Sequence, residues 1–183
     1  MNKINPFEEC PIYETERFIL RKTIMEDASD LLQCYSDERA VKFFNADNCH
    51  TDFNFKTLEE MKLYMKVWER EYEENVYVRF SIVDKTCEKV VGTLEFCPWR
   101  KEEKKFGNLA VMRIDLASSY ETKAIIIELI EATIDHMYEL FDVEKIFIKA
   151  IPEAKERINA LHSCGFSELE DKVLVPFSHY YIR

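Results

Sequence analysis

Arg113-Ile114-Asp115-Leu116-Ala117-Ser118-Ser119-Tyr120-Glu121-Thr122-Lys123-Ala124-Ile125-Ile126-Ile127-Glu128 reads as a strand, a short turn and the opening of the most apolar helix in the chain. In its first residues Ile114 and Leu116 alternate with Arg113 and Asp115, the two-residue period of a strand. From Thr122 to Leu140 the period becomes helical, with Glu128, Glu131, Asp135 and Glu139 as a polar stripe on an otherwise apolar segment. A turn between such a strand and such a helix aims free backbone N–H groups at one spot, where the helix dipole adds partial positive charge. That spot suits a phosphate. Close approach of a phosphate to backbone normally asks for glycine, and this turn has none.

Upstream, residues 17–21 form a short strand of aromatic and β-branched type. Residues 25–37 read as a helix, with Ala28, Leu31, Leu32 and Tyr35 at helical spacing, and 39–44 as a further helical turn. Residues 45–56 are polar and aperiodic, the longest expected loop. They include Cys49 and His50, adjacent loop residues of a kind that rarely point together. Thr57-Leu58-Glu59-Glu60 is a capping box. The helix after it places Leu58, Met61, Met65, Trp68 and Tyr72 on one face. Residues 77–83 and 89–96 form a hairpin across 84–88, with Pro98 as its stop, and charged residues 99–105 are expected outside. Residues 108–116 are the third strand, with Met112, Ile114 and Leu116 on one face and Arg113 and Asp115 on the other.

Beyond the central helix, 143–151 is a strand whose Ile146-Phe147-Ile148 run suits a sheet interior. Pro152 is placed for the first turn of a last helix that buries Ala154, Ile158, Leu161 and Cys164 and ends at Gly165. Residues 172–175 and 179–182 close the sheet as a terminal hairpin. No repeat or linker divides the chain, so residues 1–183 are expected to be a single domain.

The composition narrows the function classes. A hydrophobic fraction of 47% argues against disorder. No apolar run is long enough to span a bilayer, and the first residues lack an apolar leader core, so the expected compartment is the cytoplasm and no membrane is a partner. The six cysteines show neither C-x-x-C nor zinc-finger spacing, which fits reduced thiols and no metal. The net charge of −10 disfavours nucleic acid and suits a cationic substrate such as an amine.

Several local sequences resemble the GNAT acetyltransferases, and most the branch acting on ribosomal-protein N-termini and small amines, the RimJ/RimL-like group. Thr15-Glu16-Arg17-Phe18-Ile19-Leu20-Arg21 followed by Glu26-Asp27-Ala28 is similar to that family's T-E-R-L-x-L-R and acidic helix. Val90-Val91-Gly92-Thr93-Leu94 looks like its V-I-G-x-x strand. Residues 138–150 look like its F-x-E-L-G-L-x-R-I-x-A stretch, and Cys164-Gly165-Phe166 like its x-G-F ending. The likeness covers residues 14 to about 166. It implies an α/β (α+β) GNAT fold, a mixed and mostly antiparallel sheet of six to seven strands with a central splay, flanked by helices.

The resemblance also implies an acetyl-CoA site, acetyl-CoA being a co-substrate, built from Leu116 and Ala117 and from the turn after Tyr120. The family's turn reads y-W-G-K-G-y-a-t-E, which places Glu121, Thr122, Lys123, Ala124, Ile125 and Ile126 at the phosphates. Lysine and the later glutamate persist, while both glycines are replaced. Ile126 is expected to intrude where a phosphate oxygen sits. A carboxylate at Glu121 repels a dianionic ligand, by about 4 kcal/mol at ~4 Å and an effective dielectric of ~20. On the last helix the family's N-x-x-S becomes Ala154 and Arg157, the latter either reaching a phosphate or lying solvated on the helix face.

Direct acetyl transfer needs a group to take the amine's proton and a donor for the leaving thiolate. Glu95, Asp115 and Ser118 are the catalytic candidates, with Tyr180 and Tyr181 as further ones. Glu95 and Asp115 are equally readable as outward residues of half-exposed strands. The expected activity is acetyl transfer to a primary amine, a protein N-terminus or a small molecule, by a monomer or homodimer. The replaced glycines leave a second reading open: a GNAT-fold binding or regulatory protein with weak or no coenzyme binding.

Overall fold

The computed structural model describes residues 5–47, 49, 51–99, 108–170 and 177–183. Eight strands form one sheet: β1 (Tyr13–Glu14), β2 (Phe18–Lys22), β3 (Val78–Asp84), β4 (Lys89–Trp99), β5 (Leu109–Leu116), β6 (Lys145–Lys149), β7 (Ser167–Glu168) and β8 (Tyr180–Ile182). Their order is β1-β2-β3-β4-β5-β6-β8-β7. Every neighbouring pair is antiparallel except β5–β6, which is parallel. The helices are α1 (Ala28–Tyr35), entered through a 3-10 turn at Met25–Asp27, then α2 (Glu38–Val41), α3 (Leu58–Glu73), α4 (Lys123–Phe141) and α5 (Lys155–Ser163).

Strand alternation sorts side chains to two buried faces. Phe80, Ile82, Leu94, Phe96, Met112, Ile114 and Leu116 pack with Ile126, Leu129, Ile130 and Met137 of α4. Fully burying each such side chain contributes about 1.5–3 kcal/mol. The opposite face carries Arg79, Ser81, Thr93, Arg113 and Asp115, all buried. An aromatic layer from α1, α3 and the loop between α2 and α3 (Tyr35, Phe44, Phe53, Phe55 and Trp68) forms a second core there.

Where the two halves of the sheet meet, pairing is incomplete. β5 pairs with β6 only from Leu109↔Lys145 to Met112↔Ile148. Among the described residues, 113–116 run on paired with β4 alone. This is the expected splay, and it leaves the β6-facing backbone groups of that stretch without a strand partner.

Several expectations need correction. Among the described residues the sheet has eight strands rather than the expected six to seven, because β1 and β7 are two-residue strands, too short to show a period. Pro98 does not stop β4, which continues to Trp99 opposite Leu109. Past Phe96 the strand has lost its β3 neighbour, and proline is tolerated at such an edge. Pro152 does not open the last helix. That helix starts at Lys155, with Ala154 as its N-cap. Residues 100–107, His50 and 172–176 lie outside the described residues, and with them the expected exposed segment and the first strand of the terminal hairpin.

Local signals that match are the Thr57 capping box, whose hydroxyl accepts from Glu60 N–H while the Glu60 carboxylate accepts from Thr57 N–H, and Gly165, which closes α5 at φ +82°.

Candidate functional site

The segment from Asp37 to Asp47 roofs the splay, because four polar contacts tie it to both lips. Asp37 Oδ2 accepts from Ser118 N–H at 3.1 Å, at the end of β5. Phe43 carbonyl accepts from Arg157 of α5. Asn45 Nδ2 donates to the Tyr180 hydroxyl at 2.8 Å, and Lys149 bonds Asp47 at 2.7 Å, both on the β6–β8 side. The Asp37 carboxyl is pushed up by its partial burial, but the Ser118 hydroxyl and N–H and the Arg39 N–H outweigh that and hold it below the ordinary carboxylate value.

Under the roof lies one connected polar cluster. The Arg113 guanidinium grips Asp115, with Nε on Oδ1 at 2.9 Å and Nη2 2.6 Å from Oδ2. Tyr35 donates its phenol to Asp115 Oδ2 at 2.7 Å and lies 2.9 Å from Thr93 Oγ1. Arg79 Nη1 donates to the Tyr35 hydroxyl, and its Nη2 is ion-paired to Glu95. Both guanidiniums stack on rings, Arg113 over Phe53 at 3.9 Å and Arg79 over Trp68 at 4.0 Å. Two cations face two carboxylates, so the buried charges compensate. Burial pushes the Tyr35 phenol far up, and the Asp115 charge adds to it, so Tyr35 stays a donor.

The sequence alternative of half-exposed outward strands fails for Asp115, which is fully buried. Glu95 differs from it: its side chain is 13% exposed, at the open margin of the cluster. Tyr180 sits across the splay, 3% exposed, with its phenol held up by burial and so protonated.

The turn after β5 is a 3-10 turn at Ser118–Tyr120, with Thr122 as the N-cap of α4. The Thr122 side chain makes no capping bond. The Ala124 and Ile125 N–H groups lie in the first turn, where a helix has no internal acceptor to offer. Ile126 does not intrude on this spot. It is wholly buried in the α4–sheet core, as is nearly all of Ile125, so their side chains fill the helix–sheet interface. The expectation of a blocked phosphate position is thereby corrected. Arg157 is likewise no solvated helix-face residue: it is 2% exposed and forks onto Glu121. The repulsive charge expected at Glu121 is therefore neutralised.

The structure splits the predicted residues into groups. Ser118, Glu121 and Ala154 line one cavity of about 300 Å³ with Arg39, Lys42 and Glu156. Glu95 and Asp115 share the buried cluster, some way from it in register. Leu116 is core, with Ala117 beside it donating its N–H to Val91 carbonyl. Lys123 is exposed, and its N–H donates to Glu156 Oε2 at 2.9 Å. Sequence reasoning missed Tyr35, Arg79, Asp37 and Glu156. Tyr35 reads as one more core position of α1, and no local spacing signals the others. Among the described residues no cluster of His, Cys, Asp and Glu is arranged to hold a metal ion, and no helix is long and apolar enough to cross a membrane.

A coenzyme carrying amide groups and phosphates fits this frame on two observations: a backbone edge at 113–116 with no strand partner among the described residues beyond β4, and Ala124 and Ile125 N–H groups that receive no cap from the Thr122 side chain.

A model of the acetyltransferase (GNAT) domain matches residues 17–167. The uncharacterized N-acetyltransferase p20 of Bacillus licheniformis is 29% identical over 155 residues, 84% of this chain and 81% of that protein. The ribosomal-protein-S5-alanine acetyltransferase of Vibrio fischeri superposes with a TM-score of 0.71 at 19% identity, over 94% of this chain and 96% of that one. RimL, a ribosomal L7/L12 α-N-protein acetyltransferase solved with coenzyme A, gives 0.73 at 14% identity, over 94% and 97%. At such identities these two likenesses speak to fold.

Proposed function

The chain belongs to the GNAT acetyltransferase family, and from that premise we propose that it moves an acetyl group from acetyl-CoA directly to a primary amine, a protein N-terminus or a small molecule. The observation that carries the reading is the β6-facing edge of β5 at 113–116, without a strand partner among the described residues, running into the start of α4, where Thr122 offers no side-chain cap to the Ala124 and Ile125 N–H groups. Relatives of like fold that bear ribosomal-protein acetyltransferase names favour a protein N-terminus as acceptor. The reading places the protein in the cytoplasm, as a single domain and a monomer or homodimer. With ten net negative charges it would steer amines inward.

Acetyl-CoA supplies the acetyl thioester. Backbone groups of Leu116 and Ala117 and the N–H groups of Ala124 and Ile125 hold its arm and phosphates, flanked by Glu121, Thr122, Lys123, Ala154 and Arg157. Glu95 takes the amine's proton, directly or through one water, with Arg79 fixing its carboxylate. Tyr180, protonated and held by Asn45, returns a proton to the leaving thiolate. Ser118 belongs to the phosphate side, where its hydroxyl and N–H engage Asp37. Asp115 is enclosed by Arg113 and Tyr35 and acts as the anchor of the cluster. Holding amine and thioester together supplies much of the rate.

One contact favours a second reading, a GNAT-fold binding or regulatory protein: the Glu156 carboxylate on Lys123 N–H, where a phosphate is wanted. Titration calorimetry with acetyl-CoA and CoA separates the two. Binding in the micromolar to millimolar range supports the transferase. Absence of heat at millimolar coenzyme overturns it in favour of the binding protein.

A further inference from the structure

The first backbone N–H of α4 already has an anionic partner supplied by the chain. Glu156 is the second residue of α5, and its Oε2 lies 2.9 Å from Lys123 N. The neighbouring Arg157 explains why it is there. Arg157 is clamped to Glu121 through two bonds of 2.7 Å and to Phe43 carbonyl at 3.2 Å, which sets the first turn of α5 against the start of α4. Glu156, next in sequence, is then delivered to the helix terminus.

The contact is of a displaceable kind. Glu156 is an exposed residue, and among the described residues its hydrogen bond is to that N–H, so turning outward leaves its carboxylate in water. By contrast the Glu121 carboxylate is 6% exposed and doubly bonded. The cavity of about 300 Å³ beside the contact carries Arg39, Lys42 and Lys155 as well as Glu153 and Glu156. Once Glu156 has turned away, those cations face whatever anion replaces it.

Resting on the acetyl-CoA reading above, we propose that Glu156 is a built-in competitor for the coenzyme's diphosphate: it holds the Lys123 N–H until a phosphate oxygen displaces it, and so sets the coenzyme affinity. The pantetheine arm, which lies along β5, is untouched by the exchange. The replaced glycines therefore matter less to affinity than one carboxylate on the neighbouring helix.

The test is calorimetry on the full chain and on Glu156→Ala, Glu156→Gln and Glu153→Ala, titrated with acetyl-CoA and with S-acetylpantetheine, which lacks the phosphates. A thermal melt of each variant checks that it is folded. The expected result is that both Glu156 variants bind acetyl-CoA at least about fivefold more tightly, that Glu153→Ala gains less than half as much, and that S-acetylpantetheine binds all four proteins alike. Acetyl-CoA binding equal to or weaker than wild type in both Glu156 variants overturns the inference while leaving the transferase reading in place. So does an equal gain in Glu153→Ala, which makes the effect one of net charge. If neither wild type nor variants bind acetyl-CoA at millimolar concentration, the transferase reading fails and the competitor role fails with it.

Discussion

Arg157 lays its guanidinium fork on Glu121, Nε on Oε1 and Nη2 on Oε2, each at 2.7 Å. The side chains are 2% and 6% exposed. Read one residue at a time, Glu121 is an obstacle to an anionic ligand and Arg157 a surface cation. Together they are a buried, neutral hinge point between the β5–α4 turn and α5. Removing one partner strands the other's charge, which typically destabilises by about 3–5 kcal/mol. Glu121→Ala should therefore lower the urea midpoint sharply. The pair Glu121→Leu with Arg157→Met should recover most of the loss, since two apolar groups leave no charge uncompensated. A double variant as unstable as the single one would show that packing, not charge, holds the contact.

Glu95 and Asp115 look alike in the sequence, and the structure gives them different surroundings. Glu95→Gln should leave the fold intact and lower kcat by about 10²-fold or more, with KM for acetyl-CoA little changed. Asp115→Asn should act mainly through stability, because it disarms the anchor shared by Arg113 and Tyr35. Steady-state kinetics of both variants with an amine acceptor, read beside their melting temperatures, decide the assignment. Equal kcat losses at equal stability would place the proton acceptor elsewhere.

Gly92 faces Leu116 across β4 and β5. A Cβ on it would stand 2.1 Å from the Asp115 carbonyl oxygen and 3.0 Å from Leu116 Cα. Both are backbone atoms, which cannot swing aside. Gly92→Ala should destabilise by about 2–3 kcal/mol and also weaken coenzyme binding, because it displaces the strand edge that the coenzyme is proposed to use. A variant that melts within a degree or two of wild type would show the strands yielding without penalty.

What was legible in the chain follows the range of the physics. The Thr57–Glu60 box, the Gly165 helix end and the alternation of residues 112–116 are local patterns, and each reappears in the structure. The family likeness rests on short motifs in order, and these too are local. The burial of Asp115 was not legible, because its cover comes from Tyr35, 80 residues away. Nor was the core position of Ile126: the three-isoleucine run Ile125-Ile126-Ile127 does not say which side faces the sheet. The Glu156 contact joins positions 33 apart through two helix termini, and no periodicity reports it.

Asp27 ties the 3-10 turn before α1 to the sheet. Arg21 forks onto it at 2.8 and 2.6 Å, Ile24 N–H donates at 3.0 Å and Ser81 Oγ at 2.7 Å. Burial pushes the carboxyl up, yet these donors outweigh it and hold it below its ordinary 3.8. Glu128, bonded by Thr15 and Arg17, is lowered for the same reason against the same opposing burial. A depressed native pKa contributes stability that is complete above the unfolded value and lost as pH falls through the native one. The protein should lose stability steeply below about pH 4. Asp27→Asn should destabilise by about 2 kcal/mol at pH 7 and by less at pH 3, where wild type has begun to lose the same interaction. A gap that does not narrow would mean the carboxylate's charge is immaterial.

Ile126 stands where the family's turn carries a small residue, and cutting the side chain back is the obvious repair. The structure argues against it. Ile126 is wholly buried with Leu129, Ile130 and Met112, so Ile126→Gly empties a core position and loosens the first turn of α4. The combined loss should be about 3–5 kcal/mol. At a temperature where the variant is still folded, its acetyl-CoA affinity should match wild type within about twofold, because the removed atoms face the sheet. Ala124→Gly, which restores one of the two replaced glycines at an exposed position of the same turn, should cost about 1 kcal/mol or less and serves as the control for added backbone freedom. A tenfold tightening in Ile126→Gly, with none in Ala124→Gly, would show that the isoleucine does obstruct the phosphate and that its core position is not what the helix requires.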